Sequence, residues 1–250
     1  SISKKYDLDG LNPVETQTVY KYGNPSHIQL TSQSTKSSLK ENLETRYYYP
    51  HDLLSEPFVS EMIAGNRIDT PLKTETYRGT VKQSEQKTVF GKDASTADLL
   101  LPKFIYTAKA AASLEKKITF GKYDEKGNIL EYTPENGTPV SIIWGYNKTQ
   151  PIAKIENALY SQAASYAANL QDKSDTKTET ELKEALGLFR TALPNAMITT
   201  YTYKPLVGVS TVTDPKGQTT TYTYDDFGRL DVVKDAKGNI LSENQYRYKQ

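Results

Sequence analysis

With 250 residues the chain is long enough for one large β domain or two ordinary ones, and 31 basic against 30 acidic residues give a formal charge of +1. That balance offers no electrostatic track for a phosphate backbone, so nucleic acid is set aside as a ligand; the absence of cysteine removes disulfides and thiolate chemistry. Hydrophobic content is only 36%, yet 19 tyrosines supply burial area through amphipathic rings, which predicts a wide sheet over a thin apolar layer.

Glu15 to Tyr22 and Leu43 to Tyr49 read as strands ended by Gly23-Asn-Pro25 and by Pro50. Ser55-Glu-Pro57 resembles a helix entrance, with Phe58, Val59, Met62 and Ile63 at helical spacing and Gly65 as the stop, so a short helix is expected near 55–64. Strand signals return from Pro71 to Phe120, broken by polar residues 91–97 and by Leu99-Leu-Leu-Pro102. Gly127 to Tyr132, the Asn136-Gly137 corner and Val140 to Trp144 form a hairpin. Ile155, Leu159, Tyr166 and Leu170, then Leu182, Leu186, Phe189 and Leu193, follow helical spacing in alanine-rich sequence. They predict an inserted helical hairpin over 155–193 with Asp172 to Lys177 as its connection, Thr178 and Glu181 as a capping box, and apolar faces laid on the sheet. The chain therefore divides by pattern into a β-rich region 1–154, the helical insertion 155–193 and a β-meander 194–250. There is no signal-peptide pattern and no apolar run long enough to span a bilayer, and the repeat pattern at both ends reads as part of something longer.

The densest pattern lies near the C-terminus, where Asp214-Pro-Lys-Gly217, Asp225-Asp-Phe-Gly228 and Asp235-Ala-Lys-Gly238 repeat one turn; Asp124-Glu-Lys-Gly127 is an earlier copy and Tyr6-Asp-Leu-Asp-Gly10 a ragged one. The carboxylate can accept backbone N–H groups, and glycine can take the positive φ of a tight corner. Between the turns, Thr219 to Tyr224 and Arg229 to Lys234 have strand composition. Doublets spaced Y-x-Y (Tyr20/Tyr22, Tyr201/Tyr203, Tyr222/Tyr224, Tyr246/Tyr248) put two rings on one face, where rings of neighbouring strands would stack.

Candidate sites are few. His27 and His51 are the only histidines and neither has a second at ligand spacing, so a structural role outweighs metal binding. Asp7-x-Asp9-Gly10 begins like a calcium loop but places Thr18 where the bidentate glutamate belongs. Asp225/Asp226 and Asp7/Asp9 are carboxylate pairs that could act on a glycoside only if they faced one cleft; on hairpin turns they cap instead. Trp144 and Tyr146 could form a ligand-stacking platform, although strand alternation favours cross-strand anchoring. No elbow nucleophile, P-loop or cofactor motif occurs, so neither catalytic residue nor cofactor is assigned.

The residues that carry the repeat also carry a family likeness. Tyr224-Asp-Asp-Phe-Gly-Arg-Leu230, preceded by Tyr222, resembles the YD repeat of RHS proteins, and Tyr123-Asp-Glu-Lys-Gly-Asn-Ile-Leu130 is similar, with Asn128 where Arg229 stands in the other copy. Ile142 to Asn147 with Pro151 to Ile155 resembles a segment of large bacterial RHS-repeat surface proteins of the Bacteroidetes type. The resemblance implies a mainly β fold, an antiparallel hairpin sheet forming part of a curved shell, with the helical hairpin inserted. It also implies a non-enzymatic structural role in enclosing the chain's own C-terminal, toxin-like region, and a secreted or cell-surface location in a bacterium. Its partners would be the remainder of its own chain and secretion or outer-membrane proteins. Asp214-Pro-Lys-Gly217 is followed by Gln218 and more repeats, so the family's autoproteolytic site is not carried onto it. The alternatives are a carbohydrate- or protein-binding surface module and a secretion cargo.

Overall fold

A computed structural model describes residues 2–5, 14–36 and 41–246. The ragged Tyr6 to Gly10 turn, the Asp7/Asp9 pair and Tyr248 lie outside the described residues. The chain divides into two compact units, Ser1–Phe120 and Gly121–Gln250; the three segments read from sequence follow repeat content, whereas these units follow contacts. The fold is mainly β, with sixteen strands and three α-helices among the described residues.

In the first unit β1 (Ile2–Lys5), β2 (Val14–Lys21), β3 (Ser32–Lys36), β4 (Asn42–Tyr48), β5 (Lys73–Arg78), β6 (Val81–Gly91), β7 (Leu101–Lys109) and the start of β8 (Glu115–Tyr123) each pair antiparallel with their sequence neighbours. Helix α1 (Val59–Ala64) sits between β4 and β5, and its Val59 and Met62 are buried with Leu72 and Phe90. It starts later than expected. Ser55 does not cap it; Phe58, at φ 63, precedes its first turn. Gly65 does end it, donating to the Glu61 carbonyl at 2.9 Å, but with φ −84 the left-handed step falls on Asn66 instead.

In the second unit β9 (Ile129–Pro134), β10 (Val140–Gly145), β11 (Gln150–Glu156), β12 (Met197–Lys204), β13 (Gly208–Thr213), β14 (Thr219–Tyr224), β15 (Leu230–Lys234) and β16 (Ile240–Glu243) form an antiparallel meander in sequence order. Between β11 and β12 stand α2 (Tyr160–Thr176) and α3 (Glu179–Ala192), a helical hairpin packed on the strands. Ile155 belongs to β11, opposite Ser141 and Ile198, rather than to the helix, because both strand partners bury it completely. Asp172 to Thr176 are likewise helical, not linker: the Thr176 hydroxyl donates to the Asp172 carbonyl, and only Lys177 and Thr178 separate the helices. At Thr178 the capping box forms, with the Glu181 N–H donating to the threonine hydroxyl and the Thr178 N–H to the Glu181 carboxylate at 3.0 Å.

The core of this unit joins Ile143, Ile152 and Ile155 to Ala163, Ala167 and Leu170 of α2, Leu182, Leu186 and Phe189 of α3, and Ile198. Full burial of each large aliphatic side chain contributes roughly 1.5–3 kcal/mol. Beyond Thr211 no described residue is fully buried, so β14 to β16 form a single layer held by ladder and turn hydrogen bonds.

Candidate functional site

The four D-x-x-G turns share one geometry. In each, Oδ1 of the aspartate accepts the N–H groups two and four residues on, at 2.8–2.9 Å. The aspartate carbonyl accepts from the glycine N–H, and the aspartate N–H donates to the carbonyl four residues on. Gly127, Gly217, Gly228 and Gly238 have φ from +75 to +84, a region that costs a residue with a Cβ about 1–2 kcal/mol. Side-chain and backbone acceptors of one residue thus satisfy the whole corner.

A further contributor is the residue after the glycine. Oδ2 of the aspartate accepts from Asn128 Nδ2 at 3.1 Å, Asn239 Nδ2 at 2.8 Å, and Arg229 Nε and Nη2 at 2.7 and 2.6 Å. Asparagine and arginine are therefore equivalent there as donors to the second carboxylate oxygen; only their alternation in the sequence hinted at it. The Arg229 guanidinium holds the Asp225 carboxyl below its usual range, as the Asn239 carboxamide does for Asp235. Asp225 is committed to its turn, which leaves it unsuited to acid–base work beside Asp226. Gln218 makes no such bond in the Asp214 turn, but Arg190 of α3 reaches over and donates to the carbonyls of Ile198 and, at 2.5 Å, Asp214.

The tyrosines do something other than the simple stack expected of them. Tyr123 is buried, which pushes its hydroxyl up to about 12, and Tyr222 stands opposite Val233. Tyr224 donates to the Val209 carbonyl at 2.8 Å, and its ring lies over Gly208 rather than over another ring. A register shift falls beside Tyr203 and another beside Tyr224, where Ser210 and Asp231 are the extra residues on the partner strands, so the alternation within each doublet is kept while the residues opposite the rings are displaced. Similar shifts precede Tyr77, Phe90, Tyr106 and Trp144. A bulge bends its own strand and adds twist, and here it lies on the strand facing the aromatic residue, a feature that strand periodicity does not reveal.

Trp144 is half-buried and donates its indole N–H to the Ile129 carbonyl at 2.9 Å. Tyr146, Asn147 and Lys148 follow it with φ of 51, 58 and 60, a left-handed run strained by about 1–2 kcal/mol per residue. Hydrogen bonds fix it from two sides: Ser174 and Asp175 of α2 accept from the N–H groups of Tyr146 and Asn147, while Lys126 and Asn128 donate to the carbonyls of Asn147 and Lys148. Tyr146 accepts the Tyr203 N–H at 3.0 Å, and the two rings meet edge to face at 5.4 Å. Here lies an open cleft of about 620 Å³, bounded by the β10–β11 turn, the end of α2 and the β12–β13 hairpin.

In the first unit, buried His27 faces Asp52 through Nε2 at 3.1 Å and accepts the Gln29 N–H on Nδ1 at 3.2 Å, with the His51 ring 6.4 Å away. Both ring nitrogens serve the local loop. Glu75 is a buried acid of this unit: burial raises its carboxyl, but the hydroxyls of Tyr48 and Tyr77 and the Lys73 ammonium outweigh this and leave it low. Among the described residues no group of three or more histidine, aspartate and glutamate side chains could hold a metal ion, and no helix is long and apolar enough to cross a membrane.

An antiparallel meander with one recurring aspartate–glycine corner defines a β-repeat protein. Residues 208–240, from β13 to the start of β16, match the family model described as RHS Repeat. That segment thus carries an RHS repeat. No curated protein sequence matches it significantly. Among solved structures it is similar to a TcdB2-TccC3-Cdc42 crystal structure at 12% identity, covering 97% of this chain and 12% of that one with a TM-score of 0.43. A TcdB2-TccC3 crystal structure is similar at 11% identity, covering 97% and 16%, with a TM-score of 0.37. A Photorhabdus luminescens Tc holotoxin pore is similar at 12% identity, covering 86% and 12%, with a TM-score of 0.36. The chain spans between 12% and 16% of the length of these chains, and likenesses at such scores carry no functional weight.

Proposed function

We propose that the chain is a length of wall in a larger RHS-repeat shell that encloses a further region of its own polypeptide, with a structural rather than catalytic role. One observation supports this reading above others: the strands that match the RHS repeat continue a sequence-ordered antiparallel meander whose corners reuse one self-satisfied turn. Such a sheet extends one hairpin at a time, and closing it into a shell hides its edges. The wall reading also suits a layer in which β14 to β16 lack buried side chains, because enclosing volume needs area rather than a thick core. On this reading the helical hairpin stiffens one stretch of wall, the enclosed region is toxin-like, and the protein is secreted or displayed by a bacterium with export or outer-membrane proteins as partners. Protease protection tests it in the natural protein that carries the chain. The enclosed region should resist digestion while the shell is intact and become cleavable once denaturant opens it. Equal cleavage of every region in the native protein would refute enclosure.

A further inference from the structure

The cleft beside Tyr146 has a chemistry that wall-building does not require. It is lined by Tyr146, Tyr203 and Val209 together with Asn147, Gln150, Asp175 and Lys204. The carboxamides of Asn147 and Gln150 and the ammonium of Lys204 have no side-chain partner among the described residues. Asp175, an exposed residue, is held in place through Oδ1, which accepts the Asn147 N–H at 2.7 Å and the Ser174 hydroxyl at 3.2 Å. The left-handed run and its bonds to α2 and the Asp124 turn fix this lining on rigid elements, so a ligand would meet a preformed site.

We propose that this cleft is a binding site for a neutral saccharide, with the tyrosine rings under the C–H face of a sugar ring and the amides, carboxylate and ammonium around its hydroxyls. One negative and one positive side chain in the lining balance, which disfavours an anionic or cationic ligand. An extended peptide would need a free strand edge, and β10, β11, β12 and β13 are each paired on both sides. Trp144 takes no part, because its indole is committed to Ile129. The site is independent of the wall reading and would place a glycan contact on the surface of the same unit.

The test is a glycan microarray of neutral, acidic and sulfated oligosaccharides probed with the 250-residue chain, followed by calorimetric titration of every binder. The expected result is capture of neutral glycans, with Gln150→Ala and Lys204→Ala each weakening binding by about three- to tenfold at an unchanged melting temperature. Lys154→Ala, on the same sheet but outside the cleft, should bind normally. Capture of sulfated glycans alone, no neutral glycan bound at millimolar concentration, or binding that both cleft variants leave intact would each overturn the proposal.

Discussion

The ring of Tyr224 lies over the α-carbon of Gly208, and its hydroxyl passes the glycine to donate to the Val209 carbonyl at 2.8 Å. A Cβ at position 208 would lie 2.4 Å from that hydroxyl oxygen and 2.9 Å from Cζ. Tyr224, the tyrosine before the Asp225 turn, thus needs Gly208 on the neighbouring strand as much as that turn needs its aspartate. Gly208→Ala should displace the ring and break its hydrogen bond, costing about 1–2 kcal/mol. In a double-mutant cycle followed by urea unfolding, much of that cost should vanish in a Tyr224→Phe background. Fully additive costs would show that ring and glycine are independent.

Two glycines should respond oppositely to the same change. Gly217 has φ +83 with nothing within 4 Å of an added Cβ, so Gly217→Ala isolates the strain of the left-handed corner, about 1–2 kcal/mol destabilising. Gly187 lies inside α3, also with open space beside it, so Gly187→Ala should stabilise by about 0.5–1 kcal/mol through helix propensity. Chemical denaturation of the pair checks both signs.

The turn carboxylates give an acid-side prediction. Asp225 and Asp235 are held below their usual range in the folded chain, so they bind protons more weakly there than when unfolded. Their contribution is present above the unfolded value of about 3.9 and is lost as pH falls through the folded value. Asp225→Asn should lower the melting temperature near neutrality, and its difference from the parent should shrink steadily from about pH 5 downward. A difference that persists undiminished at the lowest pH would contradict the assignment of charge to this turn.

At the alkaline end the sign reverses. Burial is the main cause that pushes the hydroxyls of Tyr48, Tyr123 and Tyr203 up to about 12, so the neutral form is favoured in the folded state. Stability from these rings is complete below the unfolded value of about 10 and falls as pH rises through 12. Spectrophotometric titration should show tyrosines that ionise late and together with loss of near-ultraviolet circular dichroism. If all the tyrosines ionised near their ordinary value in a still-folded chain, the burial of these three would be wrong.

Strands and corners were legible because each D-x-x-G turn encodes its own acceptor and its own positive φ, and Thr178 with Glu181 spells out a helix start. Less legible was anything set by tertiary partners. Ile155 fits helical spacing with Leu159, yet Ser141 and Ile198 draw it into a strand. Ser174 looks like linker, but its buried hydroxyl accepts the Tyr146 N–H, which keeps the end of α2 helical and docked. The cleft itself depends on three successive left-handed residues with side chains, Tyr146, Asn147 and Lys148, and local propensity argues against such a run. It exists because α2 and the Asp124 turn hold it from both sides.

The most direct measurement is cryo-electron microscopy of the natural protein that carries this chain. The account predicts that the strands described here run as consecutive staves of a continuous β wall, with polypeptide density in the volume behind it. A solid or open assembly in which the same strands enclose no volume would contradict it.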